Sequence, residues 1–369
     1  MNLMIDLRSD TFTLPSRAMR EHLAWAEVGD DYYSEDASVN RLENYCKNLF
    51  AKEAAVFTTS GMLANQLAVK SQVERGDEVI TEYNYHINLY ESAQHAALCH
   101  VVLNGRETSD GVLRVADVER ALASKPREDI YSQATLVAIE NTINHRQGKI
   151  FPFDEIQKLR TYTAERGLRL HMDGARLFHS HIATGIPLDV YAQEVDTLSV
   201  CFSKGLGAPF GSILMGNAEV ISRARRFRVW YGSGFHQIGM YAEAAYFALT
   251  RHLESLSEDH RLTKLLAEEL SQSSELGIDV ESVETNMIFI DLSGLGVSVS
   301  DFETACRARG LLVAGFPPNN VRLVVSRNVG EPEVRAAAAL LREVSACLLN
   351  ARADCATAEQ VPAREISIV

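Results

Sequence analysis

Between residues 54 and 215 the chain repeats one pattern: a short run of β-branched and aliphatic residues, then a stretch with helical spacing of its apolar side chains. The runs are Ala54–Thr58, Glu78–Glu82, Ala134–Glu140, Leu168–Asp173, Thr197–Cys201 and Ser212–Met215, with helical stretches such as Met62–Val73 and Phe153–Arg166 between them. Strands alternating with helices predict parallel neighbours, because a parallel pair needs a crossover and a helix is the usual one. The runs are almost continuously apolar, as strands covered on both faces should be. An α/β architecture with a mostly parallel sheet is expected.

Beyond residue 238 the pattern changes. A helical region to 272 precedes a strand Asn286–Leu292, a helix Asp301–Arg309, a strand Val321–Val325 and a helix Glu331–Leu349, which reads as a smaller α+β domain. The expected organisation is an amino-terminal segment over 1–45 that contributes to the site, a large domain over 46–245, a small carboxyl-terminal domain over 246–350, and an unordered tail over 351–369. With 369 residues, 46% of them apolar, the chain can bury a sizeable core.

A formal net charge of −13 and the lack of any basic run argue against nucleic acid or an anionic membrane as partner. No apolar run approaches the ~20 residues of a membrane helix. Met1–Arg8 lacks the cationic start and apolar core of a signal peptide. The six cysteines are scattered without a CxxC pair, so they read as reduced thiols, with no metal site and a cytoplasmic location expected.

Ligands of open parallel sheets bind beyond the carboxyl ends of the strands. At those ends stand Ser60-Gly61, His86, Glu140-Asn141, Asp173 and Ser203-Lys204. Core packing does not account for so many polar strand ends. Asp173 and Lys204, a βα unit apart, are a pair that suits pyridoxal 5′-phosphate (PLP). The amine forms a Schiff base with the cofactor aldehyde, and the carboxylate keeps the pyridine nitrogen protonated. Spacing alone leaves a structural ion pair beside the glycine turn, or a phosphate site, equally open.

A longer set of motifs narrows this. Ile5-Asp6-Leu7-Arg8-Ser9-Asp10-Thr11, Val28-Gly29-Asp30-Asp31, Val39-Asn40-Arg41-Leu42-Glu43, Ser60–Gln66, His86…Glu91, Glu140-Asn141-Thr142, His171–Leu177, Ser203–Pro209, Thr285-Asn286-Met287 and Arg322-Leu323-Val324 follow in order over residues 5–345. In these the chain resembles the low-specificity L-threonine aldolase family, PLP enzymes of fold type I (aspartate aminotransferase-like) of the β-eliminating-lyase type. The resemblance implies that Lys204, His86 and Asp173 are catalytic: Lys204 bonds the cofactor, Asp173 pairs with its pyridine nitrogen and His86 stacks on its ring. It implies that Ser60, Gly61 and Met62 at a helix start, with Ser203, face the phosphate, and that Glu140, Arg176 and His236 complete the cofactor site. Ser9, Arg176 and Arg322 match residues that hold the substrate carboxylate. The family also implies a homodimer or homotetramer whose sites lie at subunit interfaces, with the glycine-rich segment 231–239 crossing between subunits.

The chain departs from the family pattern where chemistry is expected. The family's Glu-Asn-Thr-His-Asn reads Glu140-Asn141-Thr142-Ile143-Asn144, removing a histidine that contacts the substrate β-hydroxyl, and His145 is expected to point elsewhere. Around the phosphate a hydroxyl and two cations are replaced by Met62, Val229 and His236. The expected activity is retro-aldol cleavage of a β-hydroxy-α-amino acid to glycine and an aldehyde. β-Elimination, racemisation, transaldol transfer or aminotransfer on the same scaffold is the alternative. A cofactor-free scaffold is a third reading, opposed by the presence together of Lys204, Asp173, His86 and Arg322.

Overall fold

The computed structural model describes residues 4–126, 128–316 and 318–359. Twelve strands occur in chain order among them: β1 (Ile5–Asp6), β2 (Ala54–Thr58), β3 (Glu78–Glu82), β4 (Val102–Arg106), β5 (Ala134–Glu140), β6 (Arg169–Gly174), β7 (Thr197–Cys201), β8 (Ser212–Gly216), β9 (Met287–Asp291), β10 (Leu311–Leu312), β11 (Ala314–Phe316) and β12 (Asn320–Val324). Seven form the central sheet in the order β2-β8-β7-β6-β5-β3-β4. β8 runs antiparallel to both neighbours and every other pairing is parallel.

The expected strands are present, four with the expected bounds and the others shifted, extended or shortened by a residue at an end. β3, β7 and β8 are buried along their whole length, so the polar Thr197 and Ser199 of β7 find their partners inside, at His171 and Asn65. β4 lies outside the sequence expectation. It is a half-exposed edge strand, and its Asn104-Gly105 pair reads as a turn rather than as part of a ladder.

The helices that cross between strands have legible ends. Helix Gly61–Gln72 begins where the Ser60 hydroxyl accepts the Leu63 N–H, 3.2 Å away. Helix Phe153–Arg166 carries Asp154 and Glu155 in its first turn and stops at Gly167, whose φ of 68° closes the last turn in a left-handed conformation. The last helix runs Glu331–Glu359, past the expected end at Leu349, because the alanine-rich stretch that follows favours helix without needing an apolar stripe. Residues 360–369 of the expected tail lie outside the described residues.

The smaller layer is the antiparallel sheet β11-β12-β9, covered by helices Leu256–Leu270, Val299–Ala308 and the last helix. β1 pairs with β10, so the start of the chain is stitched to this layer before it enters the large one. The buried apolar side chains divide accordingly. Leu256 packs into the large core, whereas Leu262, Leu266 and Leu270 of the same helix pack into the small one. No helix among the described residues is long and apolar enough to cross a membrane.

Candidate active site

Parallel register fixes what the sheet presents. β5 and β6 pair Glu140 with Asp173, so two carboxylates end side by side at the carboxyl edge, and the next strand leads to Ser203-Lys204. These residues wall a cavity of about 170 Å³ together with Ser60, Gly61, Met62, Asn65, His86, Glu91, Thr142, Asn144 and Arg176. Of the residues expected in the site, Ser60, Gly61, Met62, His86, Glu140, Asp173, Arg176, Ser203 and Lys204 are thus brought together.

Asp173 is held by two donors: Asn65 Nδ2 at 2.8 Å from Oδ2, and the Ala175 N–H at 2.9 Å from Oδ1. Asn65 also donates to Glu91 Oε1 at 3.0 Å, and that oxygen lies 2.7 Å from His86 Nδ1. On its other side Asn65 Oδ1 takes the Ser199 hydroxyl at 2.9 Å and faces His171 Nε2 at 3.2 Å. One buried amide therefore sets the orientation of both the carboxylate and the imidazole. Sequence reasoning assigns no role to Asn65 or Glu91; the available signal was a polar side chain on the buried face of an apolar helix.

The charges are balanced locally. Burial disfavours a charged His86, but the Glu91 hydrogen bond, with Asp173, Glu91 and Glu140 nearby, outweighs it and raises its pKa. Burial raises Glu91, and hydrogen bonds from His86 and His95 bring it below the usual range. Glu140 is pushed up by burial and then by the Asp173 charge, although the His86 and Asn144 N–H groups donate to it at 2.5 and 2.8 Å.

The Lys204 amine makes no hydrogen bond or ion pair among the described residues, although its carbonyl accepts the Gly207 N–H at 2.8 Å. Thr142 Oγ1, in the same wall, is buried without a partner. At the start of helix Gly61–Gln72 the Leu63 and Ala64 N–H groups are taken by Ser60, so those of Gly61 and Met62 have no partner within the helix. An unpaired amine and a fixed carboxylate in one cavity wall, with free N–H groups and the Ser203 hydroxyl in the same wall, is a set of residues that fits an aldehyde-bearing pyridine phosphate.

Three expected residues stand outside this wall. His236 is exposed and its Nδ1 lies 2.7 Å from Asp30, because segment 232–238 runs over the surface beside the amino-terminal segment; within its own chain it adds nothing to the cavity. Ser9 caps the turn Asp10–Phe12, accepting from the Thr11 N–H at 3.3 Å. Arg322 reaches the site through Asn144, donating to its Oδ1 at 3.0 Å, while Arg176 donates to the same atom at 3.3 Å. Among the described residues Arg322 has no acidic partner, whereas Arg176 is paired with Asp10. Arg228 is also structural: buried, it bridges Asp31 at 2.5 Å and the Phe57 carbonyl at 2.8 Å.

Ile143 is 1% exposed and belongs to the large core rather than to the cavity wall. The imidazole two residues on, that of His145, lines a separate cleft, with Nε2 2.8 Å from the Tyr90 hydroxyl.

Comparison with known proteins agrees with this geometry. Residues 6–293 match the family model for beta-eliminating lyases. The low specificity L-threonine aldolase of Escherichia coli strain K12 is 38% identical over 337 residues, covering 91% of this chain and 98% of that one. Among solved structures, Leishmania major threonine aldolase superposes with a TM-score of 0.80 at 20% identity over 92% of this chain and 99% of that one. A serine palmitoyltransferase from Sphingomonas wittichii superposes with a TM-score of 0.73 at 16% identity over 94% and 88%. These two likenesses are of fold.

Proposed function

The chain belongs to the beta-eliminating lyase family, and from that premise we propose that it cleaves a β-hydroxy-α-amino acid to glycine and an aldehyde with PLP as its cofactor. The observation that carries the proposal is that the unpaired Lys204 amine and the fixed Asp173 carboxylate wall one cavity together with His86 and Arg176.

When bound, PLP supplies a sink for the electron pair left on Cα. The chain's own residues supply the rest. Lys204 would anchor the cofactor and, once released by substrate, move the proton at Cα. Asp173 would hold a proton on the pyridine nitrogen, and His86, turned by Glu91, would cover the ring face. Ser60, Gly61, Met62 and Ser203 would take the phosphate, mainly through N–H groups. Arg176 and Arg322, meeting at Asn144, would fix the substrate carboxylate and so select which bond at Cα stands perpendicular to the ring. Ser9 supports that corner by shaping the turn that carries Asp10. A homodimer or homotetramer belongs to the same reading. His236 would act only toward a second copy, and the exposed Trp25, Tyr33 and Trp230 suit burial against one.

The test is to incubate the PLP-loaded protein with threonine, allo-threonine, phenylserine and serine and to quantify products. Glycine and aldehyde in equal amounts support the proposal. A keto acid and ammonia from serine, with no aldehyde from any β-hydroxy substrate, would replace it with β-elimination, the reading favoured by the withdrawal of position 143 into the core.

A further inference from the structure

We propose that Tyr90 and His145 form the proton relay that deprotonates the substrate β-hydroxyl. This inference rests on the retro-aldol reading above and supplies the base that position 143 does not offer.

The two rings come from different elements, Tyr90 from the end of the short helix after β3 and His145 from the turn Asn144–Arg146, yet their polar atoms meet at 2.8 Å. Both are held. The Tyr90 ring lies 4.9 Å from His86 at 36°, and the His145 ring lies 4.4 Å from Phe316, itself 4.7 Å from Phe289. His145 directly follows Asn144, the residue on which both arginines converge, and Arg322 also lies over Phe316 at 5.6 Å. For the relay to act, a substrate carboxylate at the arginines must present Cβ and its oxygen on the His86 side of the cavity, where the Tyr90 ring packs.

Both groups are uncharged near pH 7, and the low basicity of His145 lets it take the proton only in passing. Burial, then Arg322, Arg146 and His86, push His145 down to about 4, so its ring is neutral near pH 7. Tyr90 is raised by burial and by Glu140, against Arg322, and keeps its proton. The relay requires the tautomer in which the phenol donates to Nε2, which leaves its oxygen lone pairs open to the substrate. On reaction the β-hydroxyl proton passes to Tyr90 Oη while the phenolic proton passes to His145 Nε2. The O–H pair becomes the second C–O bond of the aldehyde, the Cα–Cβ bond breaks, and its pair remains on Cα until a proton returns there to give glycine. His145 also lines a cleft of about 540 Å³ with Phe289, Phe316 and Asn320, which offers room for the substituent on Cβ.

Tyr90→Phe, His145→Gln and the double variant, all PLP-loaded, test the relay. Each single change should lower kcat for the best β-hydroxy substrate by ~10²-fold with little change in KM, and the double should lose no more than the worse single, as expected for groups acting as one unit. Glycine binding, followed by the cofactor's absorbance, should be unchanged. In the cofactor-free protein, ¹⁵N shifts should show a neutral His145 whose Nε2 accepts a hydrogen bond, lost in Tyr90→Phe. Wild-type turnover in Tyr90→Phe, losses that multiply in the double variant, or a cationic His145 at pH 7 would overturn the relay alone. Absence of aldehyde from the wild type would overturn the retro-aldol reading and the relay with it.

Discussion

Asp10 and Arg176, 166 positions apart, meet through two parallel hydrogen bonds, Nε to Oδ2 at 2.8 Å and Nη2 to Oδ1 at 2.6 Å, with both side chains buried. Burial alone would raise the Asp10 carboxyl; the Arg176 charge and hydrogen bonds, with Lys204 and His179 adding to them, hold it well below the usual range. Asp10→Ala leaves a buried cation without its partner and should cost about 3–5 kcal/mol in urea unfolding of the cofactor-free protein. The sign of the pH effect follows from a depressed carboxylate: its contribution is present above the unfolded value near 3.8 and is lost as pH falls below it. Asp10→Asn should remove that part of the acid dependence.

Lys204 should carry the cofactor. Protein incubated with PLP should turn yellow, bleach with borohydride and retain the label on the peptide containing Lys204. Lys204→Ala should bind PLP without that label and lose turnover. A label elsewhere would refute the assignment.

Arg322 has no acidic partner among the described residues, and burial followed by the nearby Arg176 charge lowers its pKa. An anion arriving there relieves both penalties. Arg322→Leu should weaken amino-acid binding by about 2–5 kcal/mol, measured by spectral titration, and leave PLP bound. Unchanged affinity would move the carboxylate to Arg176 alone.

Phosphate retention should depend on few donors. Ser203→Ala removes one hydroxyl facing the cavity and should weaken PLP binding by about 1.5–3 kcal/mol, the worth of a hydrogen bond to a charged group. Equilibrium dialysis against PLP measures it, and unaltered retention would show that N–H groups suffice.

Ile143→His should not restore a family-like site. Its side chain is enclosed by the core, with Cγ2 close to Gly111, so an imidazole there is buried without an assured partner. The expected cost is about 1–3 kcal/mol of stability with no gain in threonine cleavage. A tenfold gain would show that position 143 faces the substrate after all.

The central sheet was legible because strands buried on both faces advertise themselves as apolar runs, and because polar residues at their ends have no packing reason to be there. β4 was not legible, since an edge strand tolerates the Asn104-Gly105 pair. Lys204, Asp173 and His86 could be read from motif and strand position. Asn65, which orients two of them, could not, because its partners are distant in sequence and a single amide inside an apolar helix announces nothing about direction. The same holds for Tyr90 and His145, 55 positions apart. His236 was expected at a phosphate that its own chain does not bring near it.

Helix Leu256–Leu270 begins in one core and ends in the other. Fifteen residues of helix make a rod of about 22 Å, and such a rod transmits displacement without absorbing it. The arginine on β12 and the lysine after β7 are therefore referenced to a common beam. Any tightening of the small layer around a substrate would proceed by sliding along that beam, in the manner of a drawer, rather than by swinging about a flexible joint.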